Sequence, residues 1–299
     1  MYNIDLFDVS TSDIADLRDS DIVVICYFSA GTFEEFRDDE AAFPRSSLGN
    51  PVEDFEEEWW ININDDGVKA VMEARLDMAV EKGCDGVDPD GLEVYSIGSE
   101  VSGFEISAED QLAYNIWIAQ QAHERNLSVC LQNDGNQTTA LEPYFDWALR
   151  TDCYEEGGCN DVYTPFIANG KAVLNAEFKV TDLNFCNTTG AESIDSIVKR
   201  DELDESRCSC GFPETNVNCN TLLSANVPTE APLGGTGDDD SADSSEGEGD
   251  GGTPTWVIVT AIAIVVLIGM MAYSAALFRK RRARVRKLKA NQGVDDFLE

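Results

Sequence analysis

Histidine is almost absent: His123 is the single one in 299 residues, and it falls in an amphipathic helical stretch where a structural role is expected. Neither a His-based nucleophilic triad nor a His-rich metal site can therefore be assembled from this chain. Basic residues are scarce too, with 21 Lys and Arg against 57 Asp and Glu, for a net charge of -36. Eight of those bases sit between Arg279 and Lys289, so everything before this tail is more acidic still. Such a surface repels nucleic acid and suits a neutral or cationic partner. The N-terminus, Met1-Tyr2-Asn3-Ile4-Asp5, has neither the basic nor the apolar segment of a signal peptide. Either a later apolar span serves as the insertion signal, or the sequence starts inside a longer chain. No cofactor is called for, and the Gly234–Gly252 acids lack the spacing of a calcium loop.

Charge of either sign is missing from Thr255 to Phe278, a run of 24 residues long enough to cross a bilayer as one helix. Arg279-Lys280-Arg281-Arg282 follows at once, so the C-terminus is expected in the cytosol and the preceding chain outside it or in a lumen. Nine cysteines fit that compartment as disulfides, the odd number leaving at least one unpaired. Sequons at Asn126, Asn136 and Asn187 agree with a glycosylated, lumenal path.

What is present is a series of short apolar strands alternating with helices. Ile4–Phe7, Ile22–Phe28, Trp59–Ile63, the Gly83–Asp90 stretch, Leu127–Leu131, Phe145–Leu149 and Ala172–Phe178 read as seven strands. Ser12–Leu17, Val68–Lys82 and a helix capped at Ser107 and running through His123 lie between them. This pattern predicts an α/β fold, a (β/α)8 barrel lacking its first strand in this sequence. The expected divisions are a barrel over 1–180, a Cys-containing extension over 181–233, an acidic linker over 234–254, a membrane helix over 255–278 and a basic tail over 279–299.

Gly83-Cys84-Asp85-Gly86-Val87-Asp88-Pro89-Asp90 ends a strand in carboxylates. At the C-terminal end of a barrel strand, crowded acids shift one another's pKa values apart, as an acid/base pair requires. The small residues Ser29-Ala30-Gly31-Thr32 after the second strand would let a ligand approach the backbone, and Tyr27, Trp59 and Trp60 offer aromatic faces either to a ligand or to the core.

Ile25-Cys-Tyr-Phe-Ser-Ala-Gly31, Ala74-Arg-Leu-Asp77, Lys82–Asp90, Gln111-Leu-Ala-Tyr-Asn115, Ala122-His123, Leu127-Ser-Val129 and Pro165-Phe-Ile167 closely resemble glycoside hydrolase family 114 over about Asp5 to Phe178. The resemblance implies an endo-α-1,4-polygalactosaminidase-like (β/α)8 barrel with a polysaccharide substrate. It assigns Asp90 as a catalytic carboxylate, with Asp88 in place of a family Glu. Asp5, Tyr27, Asn133, Asp134 and Glu177 match pocket residues, and Cys153 and Cys159 match a cysteine pair. The family's second catalytic Glu falls at Thr151, which can serve neither as acid nor as nucleophile. Asp152 is adjacent but points to the opposite face of a strand, and Glu177 on the final strand is the alternative substitute. Gln132, Gly91 and Asn62 also depart from the family pattern. Two functions follow: a membrane-tethered hydrolase of an α-linked amino-sugar polymer, or a cell-surface carbohydrate-binding barrel without turnover.

Overall fold

The computed structural model describes residues 1–53, 55, 57–155, 162–180, 184–187, 194–199 and 208–210. Its frame is a parallel sheet of β1 (Tyr2–Asp5), β2 (Val24–Ser29), β6 (Gly86–Asp90), β7 (Ser128–Gln132), β8 (Trp147–Thr151), β9 (Val173–Glu177) and β10 (Asp195–Val198), hydrogen-bonded in that order. β11 (Cys208–Ser209) adds an antiparallel edge beside β10. A smaller antiparallel sheet, ordered β3-β5-β4, is built from β3 (Thr32–Glu34), β4 (Leu48–Pro51) and β5 (Glu58–Ile61). The architecture is mixed α/β and barrel-like.

Helices fill the longer crossovers: α1 (Thr11–Asp19), α2 (Asp66–Lys82), α3 (Val94–Ile97), α4 (Ser99–Ser102), α5 (Ala108–Glu124), α6 (Thr138–Leu141) and α7 (Thr164–Ala168). Local chemistry sets their ends. Ser107 and Asp110 form a reciprocal capping box that starts α5, and Ser10 with Asp13 does the same for α1. Gly83 stops α2 in the left-handed conformation, φ 87°, where a side chain would be strained.

Strand alternation divides the sheet into two faces. Val24, Cys26, Phe28, Val87, Val129, Leu131 and Ala148 join the core built with α2 and α5, whose buried residues include Val71, Met72, Leu76, Ile118 and Ala122. Ile25, Cys130 and Trp147 form a separate cluster on the other face, with Leu149 and Leu174 against it. Register stacks that second face in layers. Tyr27 lies beside Asp88, Cys130 beside Trp147, and one layer further along Ser29 lies beside Asp90 and Gln132 beside Leu149. The polar residues thus gather at the C-terminal ends of β2, β6 and β7.

Several expected elements stand one or two residues from their observed bounds, and three expectations change. Trp59–Ile63 is not a strand of the parallel sheet; β5 pairs antiparallel with β3 and β4. The parallel sheet also runs on past residue 180, where β10 pairs with β9 from Asp195 through Val198. Gly31 serves the backbone rather than a ligand: a Cβ there would collide with the carbonyl oxygen of Gly91, which itself sits at φ 77°. The loops after β2 and β6 touch at this point, joined by a hydrogen bond from Ala30 N to Asp90 O of 2.7 Å.

Disulfides tie Cys26 to Cys84 and Cys186 to Cys210, and Cys130 is a buried free thiol. The first links β2 to the turn before β6 across 58 residues, a loop whose closure is worth about 2–4 kcal/mol. Cys153 is disulfide-bonded, while Cys159, its expected partner, lies outside the described residues. No helix among the described residues is long and apolar enough to cross a membrane, and the expected span at 255–278 lies outside them.

Arg75, on α2, is fully buried. Its Nε donates to Asp39 Oδ2 at 2.8 Å, its Nη2 to Asp39 Oδ1 at 3.1 Å and its Nη1 to the Ser29 carbonyl at 2.6 Å. The guanidinium clamps the end of β2 to α2, and truncation would leave a largely buried carboxylate unpaired. Arg75→Ala is expected to lower unfolding stability by about 3–5 kcal/mol in urea titrations; an unchanged midpoint would contradict this clamp.

Candidate active site

A cleft of about 250 Å³ opens beside the ends of β2 and β6, lined among others by Tyr27, Thr32, Glu34, Glu58, Trp60, Asp90 and Glu93. Asp90 ends β6 and is held from several sides. Tyr27 Oη donates to its Oδ2 at 2.9 Å, Gly91 N donates to its Oδ1 at 2.8 Å, and the Gln132 side chain also reaches it. Burial raises its pKa, against these three hydrogen bonds, which favour the charged form. Burial foremost, and then the Asp90 charge, push the Tyr27 hydroxyl well above its ordinary value, so Tyr27 stays a donor.

Asp88 lies one layer deeper and has no exposed surface. Asn3 Nδ2 donates to its Oδ2 at 2.6 Å, and the buried Cys130 thiol also reaches the carboxyl. Desolvation raises its pKa to about 7, with the Asp90 charge adding to the effect. Asp88 thus supports the floor under Asp90 and does not line the cleft.

Three further carboxylates do line it. Glu34 on β3 is paired with Arg37 Nη2 at 2.9 Å. Glu58 on β5 accepts a long hydrogen bond from Thr32 Oγ1, 3.4 Å, and burial followed by the Glu34 charge raises its pKa to about 7. Glu93, three residues past Asp90, is raised to about 8 by burial and then by the charges of Asp90 and Asp134. None of the three stood out in the sequence. Glu93 comes three residues after the Asp-Pro-Asp motif and Glu58 precedes the Trp pair, but only the fold turns both toward Asp90.

Of the residues singled out from sequence, Tyr27, Trp60 and Asp90 meet in the cleft. The indole Nε1 of Trp60 is buried without a hydrogen-bond partner among the described residues. Asp5 is engaged elsewhere: Arg37 clamps it bidentately at 2.9 and 2.7 Å, and the amides of Phe7 and Asp8 donate to the same carboxylate. Asn133 and Asp134 follow β7 in left-handed conformations, φ 57° and 46°. Asn133 Oδ1 accepts from Thr151 N at 3.2 Å, and Asp134 accepts from Asn115 at 3.0 Å and Tyr95 at 3.3 Å. Burial raises Asp134 to about 6.

Glu177 and Asp152, the substitutes considered for a second carboxylate, are not brought to Asp90. Ala176, not Glu177, pairs with Thr151 in register, so Glu177 projects from the opposite face of β9. There it is fully buried and accepts from Tyr154 N and Asn175 Nδ2, both at 2.9 Å. Asp152 accepts from Phe178 N at 2.7 Å and pairs with Lys179 at 3.1 Å, at φ 52°. Both carboxylates fasten the loop after β8 to the end of β9. No group of acids, histidines or cysteines able to hold a metal ion occurs among the described residues.

This geometry can be set beside known proteins. The sequence profile of Glycoside-hydrolase family GH114 matches residues 1–213. The chain belongs to glycoside hydrolase family GH114. The crystal structure of Ega3 from Aspergillus fumigatus, in complex with galactosamine, is 33% identical, with a TM-score of 0.65; the match covers 70% of this chain and 87% of that one. The glycoside hydrolase domain of PelA from Pseudomonas aeruginosa is 11% identical with a TM-score of 0.55, covers 69% of this chain and 89% of that one, and bears on the fold alone. No curated protein sequence matches. The GH114 chain thus carries a TIM-barrel-like glycoside hydrolase fold with Asp90 at the end of β6.

The raised carboxyls make a pH prediction. A group whose folded pKa lies above its unfolded value contributes stability that is complete below the unfolded value and is lost as pH rises through the folded one. Asp88, Glu58, Glu93 and Asp134, at about 7, 7, 8 and 6, place that loss between about pH 4 and 8. The Asp88 displacement alone corresponds to on the order of 4 kcal/mol. Thermal melts should show a higher midpoint at pH 5 than at pH 8. Asp88→Asn, which keeps an acceptor for Asn3 and removes the charge, should flatten that difference; an equally steep profile in the variant would refute the assignment to Asp88.

Proposed function

We propose that this GH114 protein hydrolyses an α-linked, galactosamine-type polysaccharide, with Asp90 as one of two reacting carboxyls. The observation that carries this reading is the position of Asp90: at the end of a central strand, hydrogen-bonded by Tyr27, in a cleft it shares with Glu34, Glu58 and Glu93. Glycoside hydrolysis needs one carboxyl to protonate the leaving oxygen and another to meet the developing charge on the sugar. A cleft lined by four acidic side chains and by no Lys or Arg among the described residues also suits the ammonium groups of a deacetylated amino-sugar chain better than an anionic sugar. Trp60 lines the cleft and offers an aromatic surface to a sugar.

The galactosamine bound to Ega3 supports the choice of sugar. Uncharged residues 255–278 and the basic run after them support a single membrane span, with the hydrolase domain outside the cytosol. A second reading, carbohydrate binding without turnover, is favoured by Thr151, which puts a hydroxyl where the resemblance expects a carboxyl.

Incubation with α-1,4-linked galactosamine oligosaccharides, followed by mass spectrometry, separates the two. The hydrolase reading expects shortened products. It also expects Asp90→Asn to lower the rate by roughly 10³-fold or more with the fold retained. Tyr27→Phe, removing one hydrogen bond to a charged group, should cost about 10- to 100-fold. Binding of the oligosaccharide with no product from the unmodified protein would establish the second reading.

A further inference from the structure

We infer that Glu93 is the second reacting carboxyl of this cleft, the acid that protonates the departing glycosidic oxygen. The inference rests on the hydrolase reading above, since without turnover there is no leaving group to protonate.

Glu93 is placed for the task by its position beside Asp90 and by neighbours after β7 and on β8. It leaves the end of β6 three residues after Asp90, and the backbone amide of Asp134, at the end of β7, reaches its carboxylate. Arg150, the residue before Thr151 on β8, acts on it electrostatically. Glu93 lines the same cleft as Asp90, and its carboxyl meets the residues that follow β7. Its Oε2 is buried with no hydrogen-bond partner among the described residues, leaving that oxygen a hydrogen bond to gain from a ligand in the cleft. The other cleft acids are less suited. Glu34 is engaged by the Arg37 guanidinium at 2.9 Å, and Glu58 lies on β5 of the small sheet with its Oε2 facing Thr32.

The charged and titratable groups facing Glu93 are Asp90 on β6, Asp134 after β7, Arg150 on β8, and the Tyr95 and Tyr163 hydroxyls. Two like charges and burial outweigh the one guanidinium, and the carboxyl retains its proton to about pH 8. In the reaction the O–H bond of Glu93 breaks and its proton bonds to the glycosidic oxygen. The electron pair of the C1–O bond stays on that oxygen, and the Asp90 carboxylate meets the positive charge on the sugar. Water completes the cycle: its hydroxyl bonds to C1 and its proton returns Glu93 to the acid form.

The test compares two substrates on the full-length chain: an α-1,4-galactosamine oligosaccharide, and a dinitrophenyl α-galactosaminide whose leaving group departs without protonation. Glu93→Gln should lose about 10²- to 10⁴-fold on the oligosaccharide and less than about tenfold on the aryl glycoside. The high-pH limb of kcat/KM, near pH 8 in the unmodified protein, should vanish with it. Glu93→Asp, which keeps a carboxyl, should be slower yet retain that limb, and it stands in if the Gln variant does not fold. Equal losses on both substrates, an unaffected Glu93→Gln, or the same split shown by Glu58→Gln instead would overturn the proposal and leave the hydrolase reading intact. Failure of the unmodified chain on both substrates would overturn the hydrolase reading, and the role of Glu93 with it.

Discussion

Desolvation of carboxylates is the constraint around which the site is built. A carboxylate taken from water costs several kcal/mol unless it is hydrogen-bonded, paired or protonated, and this fold uses all three answers side by side. Asp88, sealed beneath Asp90 with Asn3 as its donor, is held near neutrality by burial. Asp90 receives three hydrogen bonds that favour its charged form. Glu34 and Asp5 share the Arg37 guanidinium, and Asp39 takes that of Arg75. The differences between these environments decide which acid can give a proton and which can stabilise a cation.

The two guanidiniums are spent on architecture. Arg75 is buried behind the end of β2, and Arg37 is 7% exposed between Asp5 and Glu34. Among the described residues lining the cleft itself there is no Lys or Arg. With Asp90, Glu34, Glu58 and Glu93 on its walls, the cleft disfavours an anionic ligand. The close contact of Gly31 with Gly91 contributes mechanically. By letting the loops after β2 and β6 meet without side chains, it brings Tyr27 and Asp90 into one wall of the cleft.

Much of this was legible from residues. The apolar run over Ile22–Phe28 and the capping box at Ser107 act over a few residues, and both appear at nearly their expected places. The carboxylate motif was equally local, and it ends a central strand as anticipated. Trp59–Ile61 misled because a short apolar segment does not reveal its partner, and β5 found β3 and β4 instead of β2 and β6. β10 was hidden by composition: Asp-Ser-Ile-Val is too short and polar to stand out, yet β9 supplies its pairing. Glu177 looked well placed on proximity alone. Its parity, one residue past Ala176, turns it away from Thr151, and parity is fixed by strand register rather than by composition.

The two sheets divide the work of the cleft. The parallel sheet supplies Tyr27 and Asp90 from strand ends whose positions are set by the buried core, with Glu93 in the loop just beyond. The small antiparallel sheet supplies Glu34, Glu58 and Trp60 as the facing wall. Chemistry that must be held to within a fraction of an ångström belongs on the first, where shifting one strand would disturb its neighbours. Selectivity for sugar substituents can be altered on the second without touching Asp90, because β3 and β5 do not pair with β6. Under that division, Glu93 stands between the two: it lies in the first loop past β6, so its backbone starts from a strand end fixed by the core while its side chain faces the cleft.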